Sequence, residues 1–284
     1  MMKILGIVSA FYPNLDELEH NIKSFLPWID HLIIWENTPV EKSNIEELVN
    51  KFDSHKIEMK TTGKNEYLAF PINSCLRDIE ADDYTHLLIM DQDSSFASSD
   101  FERYINLIDK YPSKDVAAFG PKTKYTPKKD VAFSEIESII LSGGIYPVEI
   151  LKKLNGFNEE LLIDAIDSEY CFRAIANNYK IILMHEVYLE HQIGYRYKHW
   201  SGLIIVPYSA QRTYYYLRNT FWLWEKYPEY FEKSNQKSFV KYRVVYRSLK
   251  VFLEKDSLRK LKAIFFAIKH FKNNEMGRFD RFTN

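Results

Sequence analysis

The chain has 284 residues, enough for one large domain or one domain with an appendage, and its 46% apolar and 15% aromatic share excludes a disordered chain. Nine glycines with no GxGxxG and no P-loop argue against a dinucleotide enzyme or a P-loop NTPase, while Cys75 and Cys171 form no metal or redox pattern and fit a reducing compartment. The net charge of −1 hides an asymmetry: residues 233–284 carry 14 Lys and Arg against 4 Asp and Glu, which leaves an acidic body with a basic tail suited to an anionic surface or to a solvated helical face.

Residues 3–10 predict a first strand; the segment is short and lacks a basic n-region and a small-residue cleavage site, so it reads as a strand and not as a signal peptide. Residues 15–27 predict a helix stopped by Pro27, 31–35 a second strand ending at Glu36-Asn37, and 43–52 a helix capped by Ser43. A third strand at 56–60 and a helix at 67–80, with Pro71 in its first turn, lead to the apolar strand His86-Leu87-Leu88-Ile89-Met90. This β-α-β-α order predicts a mostly parallel, Rossmann-like sheet flanked by helices, with ligands beyond the carboxyl ends of its strands. Three polar strand ends fall on that edge: residues 9–12, Glu36-Asn37 and residues 91–95.

Asp91 and Asp93 emerge there at i and i+2. In an extended chain such residues point the same way, roughly 6–7 Å apart at Cα, which suits a divalent cation carrying substrate phosphates. Acidic pairs after strands also serve as turn formers or helix caps.

Farther along, 101–111 predicts a helix, 116–119 a strand, and 120–130, with two prolines and five Lys or Tyr, a mobile loop. Residues 136–141 run into Ser142-Gly143-Gly144, a place for close backbone approach to a ligand or an ordinary turn. Helices follow at 147–154 and 162–177, extended segments at 181–184 and 187–190, then His191, and a helical pattern from about residue 208. Each polar feature here also has a structural reading: Asp164 as an N-cap, Asp167 at N3, Glu169 with Arg173 as an i,i+4 pair, and residues 211–219 as a packing helix with a basic edge. No run reaches the roughly 18 apolar residues of a membrane span.

The order of the pieces is more specific than any one of them. Asp91-Gln92-Asp93-Ser94 is followed by Ser142-Gly143, Gly156-Phe157-Asn158-Glu159, Ile163-Asp164-x-x-Asp167-x-Glu169-Tyr170-x-x-Arg173, His191 and Tyr214-Tyr215-x-x-Arg218-Asn219. This series resembles glycosyltransferase family 2, with the GT-A fold, and looks most similar to the bacterial rhamnosyltransferase-like branch over about residues 4–220. The resemblance implies a catalytic domain at 1–207, with a nucleotide-sugar half at 1–95 and an acceptor half at 96–207, and a basic, aromatic helical region at 208–284.

Carried over by position, it implies that Glu36 and Asn37 contact the nucleoside, with Glu36 where most relatives have Asp. Asn65 and Asn73 match a paired-asparagine segment toward the nucleotide, with Tyr67 in place of its glycine. Asp91, Ser142, Gly143 and Arg218 are implied in donor binding, and Asp91, Asp93 and His191 in holding Mn²⁺ or Mg²⁺. Asp167 is the implied base; Ile166 stands where the family has a second acid, and Asp164 takes up part of that role.

The activity implied is inverting transfer of rhamnose or another hexose from a dTDP- or UDP-sugar to a hydroxyl of a glycan or lipid-linked glycan, in cell-surface polysaccharide synthesis. It sets the chain in the cytoplasm, peripheral on the inner membrane face through an amphipathic tail at 237–272 or with that tail packed as a lid; an oligomer is compatible with it. The rival readings are a sugar nucleotidyltransferase, which lacks its glycine-rich loop here, and a non-catalytic nucleotide- or glycan-binding module. Nucleic-acid binding is disfavoured because the acidic body repels a polyanion.

Overall fold

A computed structural model describes residues 2–282, apart from 54, 81–82, 98, 192–196, 199–201, 203, 206 and 233–244. The chain groups into two compact units, one of Met1–Phe157 and Tyr170–Gln192, the other of Asn158–Glu169 and Ile193–Asn284.

The first unit is built on a sheet of nine strands. Its parallel half consists of β1 (Ile4–Ala10), β2 (His31–Glu36), β3 (Ile57–Thr61) and β4 (His86–Asp91), paired in the order β3-β2-β1-β4. These strands are nearly continuous apolar runs because both faces are covered: Ile4, Ile7, Val8, Leu32, Ile34, Leu87 and Leu88 are all buried. The covering helices begin with α1 (Leu15–Lys23), whose N-cap Asn14 accepts from the backbone N–H of Asp16 and Glu17, and which buries Leu18 and Ile22. Helix α2 (Ile45–Val49) and helix α3 (Ala69–Asp78) follow, both shorter than the sequence pattern predicts.

The other half of the sheet is mixed. A three-residue strand β5 (Ser94–Phe96) leads through α4 (Asp100–Asp109) to β6 (Val116–Lys122), β7 (Phe133–Glu135), β8 (Gly144–Pro147), α5 (Val148–Lys153), α6 (Ile166–Ala176) and the long β9 (Lys180–His191). Strand β8 pairs antiparallel with β4 and β6, β9 runs parallel to β6, and β5 and β7 pair antiparallel with β9. The two extended segments expected at 181–184 and 187–190 are one strand, and residues 136–141 enter β8 without forming a strand themselves.

Phe157 joins the unit through Asn73 of α3. The Asn73 side chain donates to Phe157 O at 2.7 Å and accepts from Phe157 N at 2.8 Å. Replacing Asn73 with Leu keeps the branched outline and leaves two buried backbone groups without their partner, at about 1–3 kcal/mol each. The Asn73→Leu protein should melt several degrees lower in a thermal scan; a wild-type melt would contradict this tie.

In the second unit, α7 (Ala210–Lys226) is capped by Ser209, which accepts from Arg212 N. It is followed by α8 (Glu229–Glu232), α9 (Tyr246–Val251) and α10 (Ser257–Lys272); a short ribbon of β10 (Tyr197–Lys198) and β11 (Ile204–Ile205) precedes it. Helix α10 packs on α7 through an aromatic cluster in which Tyr214, Phe266 and His270 surround Phe279, with ring centroids 4.6–5.6 Å apart. Part of the expected amphipathic tail, residues 237–244, lies outside the described residues.

Candidate functional site

Parallel register gathers the expected polar edge. Ala10 lies opposite Glu36, and Ser9 opposite Asp91, so the ends of β1, β2 and β4 stop in one row. Gln92 fastens this row: its side chain accepts from Phe11 N at 2.7 Å and donates to Phe11 O, while its own carbonyl accepts from Asn21 of α1 at 2.9 Å. The sequence reading did not single out Gln92, whose position between the two aspartates was its only signal.

Beyond the row, Asp91, Asp93 and His191 bring one ligand atom each to within 4.8 Å of one another. Asp93 is partly exposed, and its Oδ1 is 3.7 Å from His191 Nδ1. Antiparallel pairing of β5 with β9 sets Ser94 opposite His191, and the Ser94 hydroxyl lies 2.7 Å from the same ring nitrogen. A polar neighbour of this kind fixes ring orientation at a metal site. Two carboxylates and an imidazole, partly open to solvent, fit an oxygen-preferring divalent cation that keeps further positions for phosphate oxygens.

Several expected donor-binding residues are committed elsewhere. Buried Glu36 accepts from Thr38 N at 2.7 Å and from the Ser43 hydroxyl, and so folds residues 37–43. Asn37 donates to Tyr67 O and accepts from Glu66 N, and Asn65 accepts from Tyr67 N; together they shape the turn at Tyr67, which has φ of +62°. Asn73 makes the Phe157 tie. Ser142 acts through Asp91, accepting from its backbone N–H at 3.0 Å. Gly143, at φ +78°, packs closely on the protein: a Cβ there would meet Pro121 Cγ at 2.8 Å.

Arg218 corrects the expectation most clearly. It is fully buried, and its guanidinium donates to Asn219 Oδ1, Tyr214 Oη, Gly277 O and Glu160 O, which occupies every donor group it has. It serves the second unit as a clamp.

The clamp holds an unusual loop. Leu162, Asp164 and Ala165 all have positive φ, between +59° and +66°, so the helix expected from residue 162 starts only at Ile166. Non-glycine residues in that region cost of order 1–3 kcal/mol each and persist where their surroundings over-determine them. Asn219 supplies the constraint: its amide lies 2.7 Å from Leu161 O, 2.7 Å from Ile163 O and 3.0 Å from Asp164 O. Asp164 is therefore a residue of the strained loop and not an N-cap; Oδ1 pairs with Arg212 at 3.3 Å, and buried Oδ2 has no hydrogen-bond partner among the described residues. Asp167 accepts from Ser168 N at 2.7 Å. Burial raises the pKa of both carboxyls above the ordinary aspartate value, and the Asp164 charge adds to the rise at Asp167.

No family model matches the chain. A curated dTDP-rhamnosyl transferase, RfbF of Shigella flexneri, is 21% identical over 241 residues, covering 78% of this chain and 80% of that protein. The mannosyltransferase PcManGT from Pyrobaculum calidifontis, solved in complex with GDP-Man and Mn²⁺, aligns with a TM-score of 0.58 at 12% identity, over 96% of this chain and 75% of that one. S. aureus TarS aligns with a TM-score of 0.50 at 15% identity over 78% of this chain, which spans only 39% of the TarS length. The fold is that of the GT-A glycosyltransferases, as the order of motifs implied.

The raised Asp167 pKa has a consequence for stability. Below the ordinary aspartate range both folded and unfolded chains are protonated; above the raised folded value the buried charge opposes folding. Asp167→Asn removes that cost, so the variant should melt above the wild type at neutral pH, with the gain shrinking as pH falls through the folded value. Equal melting temperatures at neutral pH would contradict the burial of the charge.

Proposed function

We propose that the chain is a metal-dependent, inverting glycosyltransferase that moves a hexose from a nucleoside diphosphate to a hydroxyl of a glycan or lipid-linked glycan. The observation that carries the reading is the convergence of Asp91, Asp93 and His191 at the carboxyl edge of a GT-A sheet. Asp91 and Asp93 at the strand end and His191 on β9 would hold the cation. A bound Mn²⁺ or Mg²⁺ would offset the charge that develops on the departing diphosphate.

Asp167 is the general base in this reading. A carboxylate whose pKa is raised by burial accepts a proton more readily than an ordinary aspartate, as an attacking hydroxyl requires. Asp164 and the Asn219-held loop position it. One base without a second nucleophile gives a single displacement, and so inversion at the anomeric carbon. The donor this reading favours is dTDP-L-rhamnose, the sugar nucleotide suggested by the name of the Shigella flexneri relative; UDP-sugars are the next candidates. In calorimetry, Asp93→Ala should abolish Mn²⁺-dependent binding of the donor, and Asp167→Asn should bind donor as the wild type does yet transfer no sugar. Donor affinity that is indifferent to Mn²⁺ and to Asp93→Ala, or turnover by Asp167→Asn, would overturn the assignment.

The C-terminal helices support peripheral contact with an anionic membrane. No helix among the described residues is long and apolar enough to cross one. Helix α10 buries Ala263, Ile264, Ala267 and His270 and exposes Leu258, Lys262, Phe265, Lys269 and Lys272; Leu249 and Phe252 are also exposed. An exposed face that mixes large apolar and cationic side chains suits the headgroup boundary. The inner face of α10 is packed, so deleting the tail would unfold the second unit, and exposed positions are the ones to change. Leu258→Glu with Phe265→Glu should abolish co-sedimentation with phosphatidylglycerol vesicles while preserving the thermal melt; unchanged sedimentation would count against the contact.

A further inference from the structure

We propose that a lysine-lined pocket on the first unit binds a phosphate group of the acceptor. The word acceptor rests on the transfer reading; phosphate binding by the pocket does not.

The segment between β6 and β7 is closed on itself. Thr126 N donates to Thr123 O at 3.0 Å, Thr123 N to Thr126 Oγ1 at 2.9 Å, and Tyr125 N to Thr123 Oγ1 at 3.3 Å. Its return is fixed to β9, where His185 N donates to Ala132 O at 2.8 Å and Phe133 pairs opposite Met184. The loop expected to be mobile is thus a built rim. With β9 it encloses a cavity of about 670 Å³, within the size range of small-molecule sites.

The charge in that cavity is one-sided. Lys122, Lys124, Lys128 and Lys129 line it with a single carboxylate, Asp130, in the wall. Among the described residues none of the four ammonium groups is paired with a carboxylate; Lys124 instead lies over the Tyr125 ring at 5.3 Å. His185 stands in the β9 wall, with Nε2 2.9 Å from Ser134 Oγ. Burial lowers its pKa, and Lys129 and Lys122 lower it further, so it adds a neutral donor or acceptor and no countercharge. Like charges around one cavity repel, and a bound anion relieves that repulsion.

The donor set points to phosphate rather than to carboxylate. Ammonium groups act as mobile point charges with three donors each, suited to a tetrahedral anion, whereas a planar carboxylate is best met by an arginine fork, and the pocket lining has no arginine. The pocket also has a functional address. Lys122 is the register partner of Tyr188, and Tyr188 precedes His191 of the cation site by three residues on β9, roughly 10 Å along the strand. A phosphate anchored here therefore stands beside the same strand that carries His191 of the cation site. The phosphate can belong to a phosphodiester within the glycan or to the diphosphate of a lipid carrier.

The test titrates glycerol phosphate into the full chain in EDTA, by calorimetry. A parallel arm uses phosphatidylcholine vesicles with and without a polyprenyl diphosphate. The double variant Lys128→Glu, Lys129→Glu, at two exposed positions, is carried through both arms. The wild type should bind in at least one arm, and which arm identifies the source of the phosphate. The double variant should lose about tenfold or more in affinity there while keeping Mn²⁺-dependent binding of the nucleotide sugar. Absence of binding in both arms, or equal affinity in the variant, overturns the proposal. Loss of nucleotide-sugar binding in the wild type would instead strike the transfer reading and leave the pocket result standing.

Discussion

A three-residue strand paired with the end of a long one brings Asp91, Asp93 and His191 together. Strand β5 lies antiparallel to β9, and the pair Ser94–His191 joins positions 97 residues apart. Without it, Asp91 and Asp93 are an acidic pair at a strand end, and His191 is a polar residue beyond another strand. The pairing adds the imidazole to the carboxylates and sets the Ser94 hydroxyl against its ring. Gln92 works in the same direction from the other side, tying the end of β4 to the backbone that follows β1. The carboxylates are thus held by backbone geometry, as preorganised charge stabilisation requires.

The second unit shows a different way of holding an acidic loop. Its acidic loop is strained at Leu162, Asp164 and Ala165, and the strain persists because Asn219 meets three backbone carbonyls of the turn, those of Leu161, Ile163 and Asp164. Arg218 holds the neighbouring Glu160 carbonyl and orients the Asn219 amide from behind. The Tyr-rich Arg-Asn segment therefore acts on the loop backbone, and the buried, partly unsatisfied Asp164 is the product of that clamp.

The sequence was most legible where period and composition agree. The buried runs at residues 3–10, 31–35 and 86–90 are strands β1, β2 and β4, and their parallel register sets the expected edge. Asp91, Asp93 and His191, which only the order of motifs had linked, lie together in the structure. The sequence was less legible for polar residues whose partners are backbone groups far away in the chain. Asn73 and Arg218 look like ligand contacts in a motif, yet both bond to backbone groups that only the fold brings near. Short strands were also missed: three-residue β5 and β7 are too brief to show a period, and β8 follows a Gly-Gly pair that reads as a turn. The sequence pattern starts α6 four residues early, at 162, because nothing local announces three left-handed residues.

The central claim is that one divalent cation is held jointly by the end of β4 and the end of β9. Anomalous diffraction at the manganese edge, from crystals grown with Mn²⁺ and a nucleoside diphosphate, tests it most directly. The account predicts one strong peak within about 2.0–2.6 Å of oxygen or nitrogen atoms of Asp93 and His191, with the diphosphate completing the coordination. A manganese peak bound elsewhere, or a diphosphate bound with no manganese between these residues, would contradict it.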